Sequence, residues 1–172
     1  MTVATQFICD PLHDLTRQLL FAPPKKRIDQ ILGAERLHDD LDADVNYPLD
    51  FLSYRITGYQ PETTEATVLV GEAVLPDLRL LIDALSRTVH VPIDPQDPVE
   101  SIRELAVRLH VSTKTIERYR HIGLRWRWTR LPQGRRRVIC FTRQGVDRFL
   151  ERHGQRVEKA SRFTQMGSQD RD

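Results

Sequence analysis

The feature that most constrains this chain is the run from Ser101 to Leu150, where two helix signals, an alternating stretch and a third helix signal follow one another without a break. Ser101 and Glu104 have the spacing of a capping box: the serine hydroxyl accepts from the backbone N–H three residues on, and the glutamate carboxylate accepts from the N–H of the cap. A helix is therefore expected from Ile102, with Ile102, Leu105, Ala106 and Leu109 on its inner face. The chain then turns at His110-Val111-Ser112. Ser112 is a good cap for a second helix, from Thr113 to about Ile122, which buries Ile116, Tyr119 and Ile122 before Gly123 stops it.

Beyond Gly123 the pattern changes period. Arg125, Trp126, Arg127, Trp128, Thr129 and Arg130 alternate strictly, Pro132-Gln133-Gly134 is a turn, and Arg135 to Phe141 returns as a second strand. On this reading the two tryptophans enter a core and the arginines face outward. Thr142 then caps a closing helix in which Phe141 packs on Val146, and Val146, Phe149 and Leu150 complete a small core. Without that helix a lone hairpin would be marginal in water.

Two short helices joined by a tight turn, followed by a basic hairpin, form a winged helix-turn-helix, an arrangement that lays its second helix in the major groove of DNA. With Ile116 and Tyr119 inward, Thr113, Lys114, Glu117, Arg118 and His121 face outward, and Thr115 stands beside them in the first turn. Backbone N–H groups at Ser112 and Thr113 suit a phosphate, while Lys114 and Arg118 reach base edges. Arg118 is the expected guanine reader. Arg130, Arg135, Arg136 and Arg137 flank the hairpin turn as a cationic wing tip for phosphates or an adjacent minor groove.

The string ELAVRLHVSTKTIERYR, then Gly123-Leu124, a basic hairpin and FTRQGVDRFL, resembles the MerR and excisionase type of winged helix-turn-helix over roughly fifty residues. It departs from that pattern at His110, where many such turns carry glycine; histidine adopts positive φ at some cost. A longer resemblance joins FAPPKKRIDQI, YPLDFLSYRITGY, GEAVLPDLRLLIDALS and RVEKASRFTQM to that module. Together they are similar to the amino-terminal extension of certain large bacterial RNA polymerase sigma factors. The resemblance implies a role in transcription, with the polymerase or another regulator as partner of the acidic half. It also implies that the promoter-reading sigma core is absent, since too little sequence follows Met166 to form it.

Charge divides the chain in the same place. Residues 1–98 hold 8 Lys and Arg against 16 Asp and Glu, a net of −8, whereas 99–163 hold 17 against 6, a net of +11. One half is thus expected to bind a polyanion and the other to avoid one. The acidic half shows apolar stripes at helical spacing. They lie in a helix capped by Asp10, another from Lys25 to Leu41, a third opening at Tyr47-Pro48 and stopped by Gly58, and a fourth after Gly71 in which Pro76 marks a kink or the true first turn. Tyr59 to Thr67 is a polar loop. The acidic run Asp39 to Asp44 lacks the spacing and glycine of a calcium loop and is expected to be a solvated turn.

The fold class is therefore mainly α. An acidic helical domain (1–90) is followed by a proline-rich semi-rigid spacer (91–98), a winged helix-turn-helix with a two-stranded hairpin wing (99–153), and a basic helical extension (154–172) that frays from Gly167. Apolar residues at 40% and charged residues at 29% suit a globular rather than a disordered chain. No apolar run reaches membrane-spanning length and no secretory start is present, so a cytoplasmic, nucleoid-associated protein is expected. Cys9 and Cys140 read as two reduced, semi-buried thiols. No cofactor, metal site or catalytic group is expected: the histidines are scattered and no nucleophile sits in an activating motif. Duplex DNA is the expected partner; an excisionase-like architectural factor and a protein-interaction adaptor are the alternatives.

Overall fold

The computed structural model describes residues 6–60, 62 and 66–169. These residues form α1 (Asp10–Leu19), α2 (Pro24–Asp40), β1 (Asn46–Pro48), α3 (Leu49–Thr57), β2 (Val68–Val70) and α4 (Gly71–Ser86) in the acidic half. The basic half contributes β3 (Val99–Ser101), α5 (Ile102–Leu109), α6 (Thr113–Ile122), β4 (Arg127–Arg130), β5 (Arg137–Thr142) and α7 (Arg143–Gln169). The protein is mainly helical with two small antiparallel sheets.

In the acidic half the expected stripes meet: Leu12, Ile31, Leu37, Leu52, Leu81 and Leu85 are fully buried in one cluster. Short helices of this kind gain their stability from such packing rather than from propensity. α1 is capped at Cys9 rather than at Asp10, which lies in the first turn. The cap is supplied from a distance, because the Asp77 carboxylate of α4 accepts from the N–H groups of Ile8 and Cys9 at 2.8 and 2.7 Å. Gly58 ends α3 at φ 73°, in the left-handed region that its missing Cβ makes available. Pro76 sits inside α4, which starts at Gly71 and runs on through it. Tyr47-Pro48 does not open the third helix: Asn46–Pro48 is a strand paired antiparallel to Val68–Val70, with Tyr47 opposite Leu69. In the polar loop expected from Tyr59 to Thr67, residues 61 and 63–65 lie outside the described residues.

In the basic half a second cluster gathers Leu105, Ile116, Tyr119, Leu124, Trp126, Phe141, Val146 and Phe149. The sheet beside it has the order β3-β5-β4, so the expected two-stranded hairpin carries a third strand, Val99–Ser101, with Glu100 opposite Phe141. Thr142 caps α7 as expected, its Oγ1 accepting from Gly145 N–H at 3.1 Å. α7 breaks its helical geometry at His153 (φ −130°, ψ 17°) and then continues, remaining helical at 167–169 where fraying was expected; 170–172 lie outside the described residues.

The segment 91–98 is no spacer. Val91 is fully buried in the first cluster, its carbonyl accepts from Thr129 Oγ1 at 2.9 Å, and Asp97 accepts from Gln144 N–H at 2.8 Å. Nor do the first two alternating arginines, Arg125 and Arg127, face water. Arg125 donates from Nε and Nη2 to the two carboxylate oxygens of Asp39 at 2.8 and 2.7 Å, and Arg127 donates from Nη2 to Glu35 at 3.1 Å. Arg125 and Arg127 are only 4% and 5% exposed, as buried as residues of the apolar core. Gly145 makes room for the first of them, since a Cβ there would lie 2.9 Å from the guanidinium carbon. Trp126 and Trp128 both donate their indole N–H to Asp83 of α4, at 2.8 and 2.7 Å, so even the apolar partners of the alternation reach across to the acidic half.

Asp39 therefore does not belong to a solvated turn. Burial alone would raise its pKa, but the hydrogen bonds and charge of Arg125 outweigh burial and hold it at about 2. His38 beside it is buried, and desolvation lowers its pKa to about 4.

Two outcomes follow from this interface. Arg125→Gln leaves Asp39 buried without its cation, and the loss expected in chemical denaturation is about 3–5 kcal/mol. His38 is neutral in the folded protein until about pH 4, whereas an unfolded histidine titrates near 6.5. Between those values the unfolded chain takes up a proton that the folded chain refuses. Stability is full above pH 6.5 and falls as the pH drops toward 4, by about 3 kcal/mol. His153, also lowered by burial, adds in the same direction. Denaturation curves across this window should show a much flatter slope for His38→Gln.

Candidate nucleic-acid interface

α5 starts as its sequence dictates: Glu104 N–H donates to Ser101 Oγ at 3.3 Å and Ser101 N–H donates to the Glu104 carboxylate at 2.7 Å. His110 ends it in the left-handed region, φ 54° and ψ 44°, as the comparison with glycine-bearing turns implies. Val111 is buried, and Ser112 accepts from Thr115 N–H at 3.1 Å to open α6. Ile116 and Tyr119 turn inward, and the Tyr119 carbonyl takes the N–H groups of both Gly123 and Leu124. The register of α6 is thus set at both ends.

That register leaves Ser112, Thr113, Lys114 and Arg118 exposed. Lys114 and Arg118 make no hydrogen bond or ion pair with any described residue. Thr115 is half-buried, with its hydroxyl 2.9 Å from that of Ser112. Glu117 is occupied: its carboxylate accepts from Arg120 at 2.6 Å, and the Arg120 guanidinium lies 4.1 Å above the Trp126 ring. A paired glutamate repels a phosphate less than a bare one. His121 does not share the exposed face; it lines a cleft against the acidic half together with His38 and Arg79.

At the end of β4 and in the hairpin loop, Arg130, Arg135 and Arg136 are exposed, their side chains unpartnered among the described residues. Arg137 is drawn away instead, donating to the backbone carbonyl of Arg87 at the end of α4. The hairpin is therefore braced against the acidic half on one side while its tip stays open.

One neighbour of α6 was not legible in the sequence. A groove of about 650 Å³ runs between α5, the start of α6 and the distal part of α7, lined by Arg103, Val107 and Thr113 on one side and Thr164 and Gln165 on the other. Arg152, just before the basic extension, is also engaged, donating to the carbonyls of Asp39 and Leu41. Cys9 and Cys140 are buried free thiols, both raised to about 11 by desolvation, which keeps them protonated and unreactive at neutral pH. Among the described residues no three His, Cys, Asp or Glu side chains come together as a metal site, and no helix is long and apolar enough to cross a membrane.

No protein-family model matches the chain, and no curated protein or solved structure shows a significant match to it.

The cap at the head of α6 holds the exposed residues in register. Ser112→Ala should lower stability by about 1 kcal/mol in denaturant titrations.

Proposed function

We propose that this protein binds duplex DNA in the service of transcription, with residues 99–153 acting as a winged helix-turn-helix. The observation that carries the reading is a division among the cations of the basic half. Arg125, Arg127, Arg137 and Arg152 are engaged by the acidic half, whereas Lys114, Arg118, Arg130, Arg135 and Arg136 are exposed with no partner among the described residues. Exposed unpaired cations on a capped helix and a neighbouring loop are what a polyanion needs from a protein surface.

In this reading the free N–H groups at the start of α6 take a backbone phosphate and orient the helix in the major groove. Lys114 and Arg118 then reach base edges, and Arg118 has the fork geometry that pairs with the O6 and N7 of guanine. Thr113 and Thr115 supply hydroxyls near the same edges. Arg130, Arg135 and Arg136 neutralise flanking phosphates without reading sequence. The acidic half is the carrier of this module, and its outer surface is the part available to the polymerase or another regulator. Such a protein would act in the cytoplasm, at the nucleoid.

Equilibrium binding to labelled duplexes tests the reading. Affinity should fall with salt by about 0.9 in log K per log salt for each neutralised phosphate. Arg118→Ala should remove about 1–3 kcal/mol of discrimination between the preferred and random duplexes, and Arg136→Ala should weaken both alike and lower the salt slope by about 1. Absence of duplex binding at low salt would favour the protein adaptor, and strong bending of the bound duplex would favour the architectural factor.

A further inference from the structure

Between the two halves lies a cleft of about 460 Å³, with α4 and the end of α2 as one wall and the end of α6 and the start of α7 as the other. Its cations are Arg79, Arg148 and Arg152, with His38, His121 and His153 among them and Asp39 and Glu72 as the lining carboxylates. Two of these charges are already answered: Asp39 is bound to Arg125, and Arg148 donates to the carboxylate of Glu151 at 2.8 Å, while Glu72 lies exposed to water at the start of α4.

Two guanidiniums are not answered. Arg79 is only 7% exposed and its side chain forms no ion pair with a described residue; its neighbour at 3.2 Å is Nε2 of His38, a ring that burial keeps neutral. Asp77, the nearest carboxylate in sequence, accepts from the N–H groups of Ile8 and Cys9 and acts on Arg79 through its charge without forming an ion pair. Arg152 donates only to backbone carbonyls, which satisfy its hydrogen bonds but not its charge. A buried cation without a carboxylate in contact is costly to desolvate, and burial lowers the Arg79 pKa to about 10 although the charge of Asp77 acts in the opposite direction. His153 feels the same field: burial first, then Arg156, Arg152 and Arg79, hold it below its ordinary value. Leu75, Pro76 and Phe149 give the cleft an apolar side.

We propose that this cleft binds a small organic phosphate monoester, its dianionic head between Arg79 and Arg152 and its apolar body against Leu75, Pro76 and Phe149. Two guanidiniums without a carboxylate in ion-pair contact match the two negative charges that a phosphate monoester carries near neutral pH, which a single carboxylate does not supply. Guanidinium forks suit the phosphate oxygens, and the His153 imidazole offers a further donor. The volume accommodates a ring-sized body with its head group. A ligand held there would touch both halves and the last turn of α6, so its binding free energy would add to the contacts that hold the halves together.

Phenyl phosphate, benzoate and inorganic phosphate are the probes, titrated at constant ionic strength into the full chain. Calorimetry gives affinity, and the histidine imidazole resonances report the location. The expected result is saturable phenyl phosphate binding with a dissociation constant below about 1 mM, at least about tenfold tighter than either other anion. It should shift the His38, His121 and His153 resonances and be weakened about tenfold or more by Arg152→Gln. Arg79→Gln should abolish it, and Arg152, being exposed, keeps the test decisive if the Arg79 variant fails to fold. Failure to saturate, benzoate binding as tightly as phenyl phosphate, or unchanged affinity in folded Arg152→Gln would each overturn the proposal. The experiment contains no DNA, so its outcome is independent of the groove-reading role.

Discussion

The structure depends on a buried set of ion pairs between α2 and the chain just after α6. Glu35 and Asp39 stand four residues apart and so share one helix face, while Arg125 and Arg127 stand two apart and share one side of an extended segment. The two periods bring acid and base into register across the interface. Charges this deeply buried cost free energy unless each finds its partner in good geometry, and the bidentate grip of Arg125 on Asp39 meets that condition. Arg127 lies within 2.9 Å of one Glu35 oxygen and donates to the other. An interface of this kind tolerates little rearrangement, because displacing either wall strands a charge in a dry place.

Around this centre the contacts are polar but specific. Asp83 takes both indole N–H groups on one oxygen and Arg87 on the other. The Ser86 hydroxyl accepts from Trp128 N–H, and the Arg87 guanidinium lies 4.4 Å over the Trp128 ring. The opposite net charges of the two halves thus have a structural meaning: part of the basic surplus is the counterpart of the acidic surplus. The acidic half sorts the arginines, engaging those at the interface and leaving Arg118, Arg130, Arg135 and Arg136 in water.

Much of the architecture was legible because it is local. The caps at Ser101, Ser112 and Thr142, the stop at Gly58, the turn at His110 and the inward pair Ile116 and Tyr119 each follow from a residue and its neighbours within one helical turn. The strands Asn46–Pro48, Val68–Val70 and Val99–Ser101 were not legible, since three residues are too few to display a period and each is extended only because a distant strand pairs with it. The candidate interface divides in the same way. Exposure of Thr113, Lys114 and Arg118 follows from helix geometry, whereas the diversion of His121 and Arg137 depends on where α4 lies.

The sequence by itself determined the helical stripes, the caps at Ser101, Ser112 and Thr142, the hairpin and the segregation of charge, because these rest on hydrogen bonds and side-chain spacings that span a few residues. Only the tertiary structure decided which charges remain available. An arginine in an alternating strand reads the same whether it faces water or a carboxylate 86 positions away in the chain, as Arg125 faces Asp39. Its partner is fixed by the packing of whole helices, and that packing is a property of the fold rather than of any stretch of it.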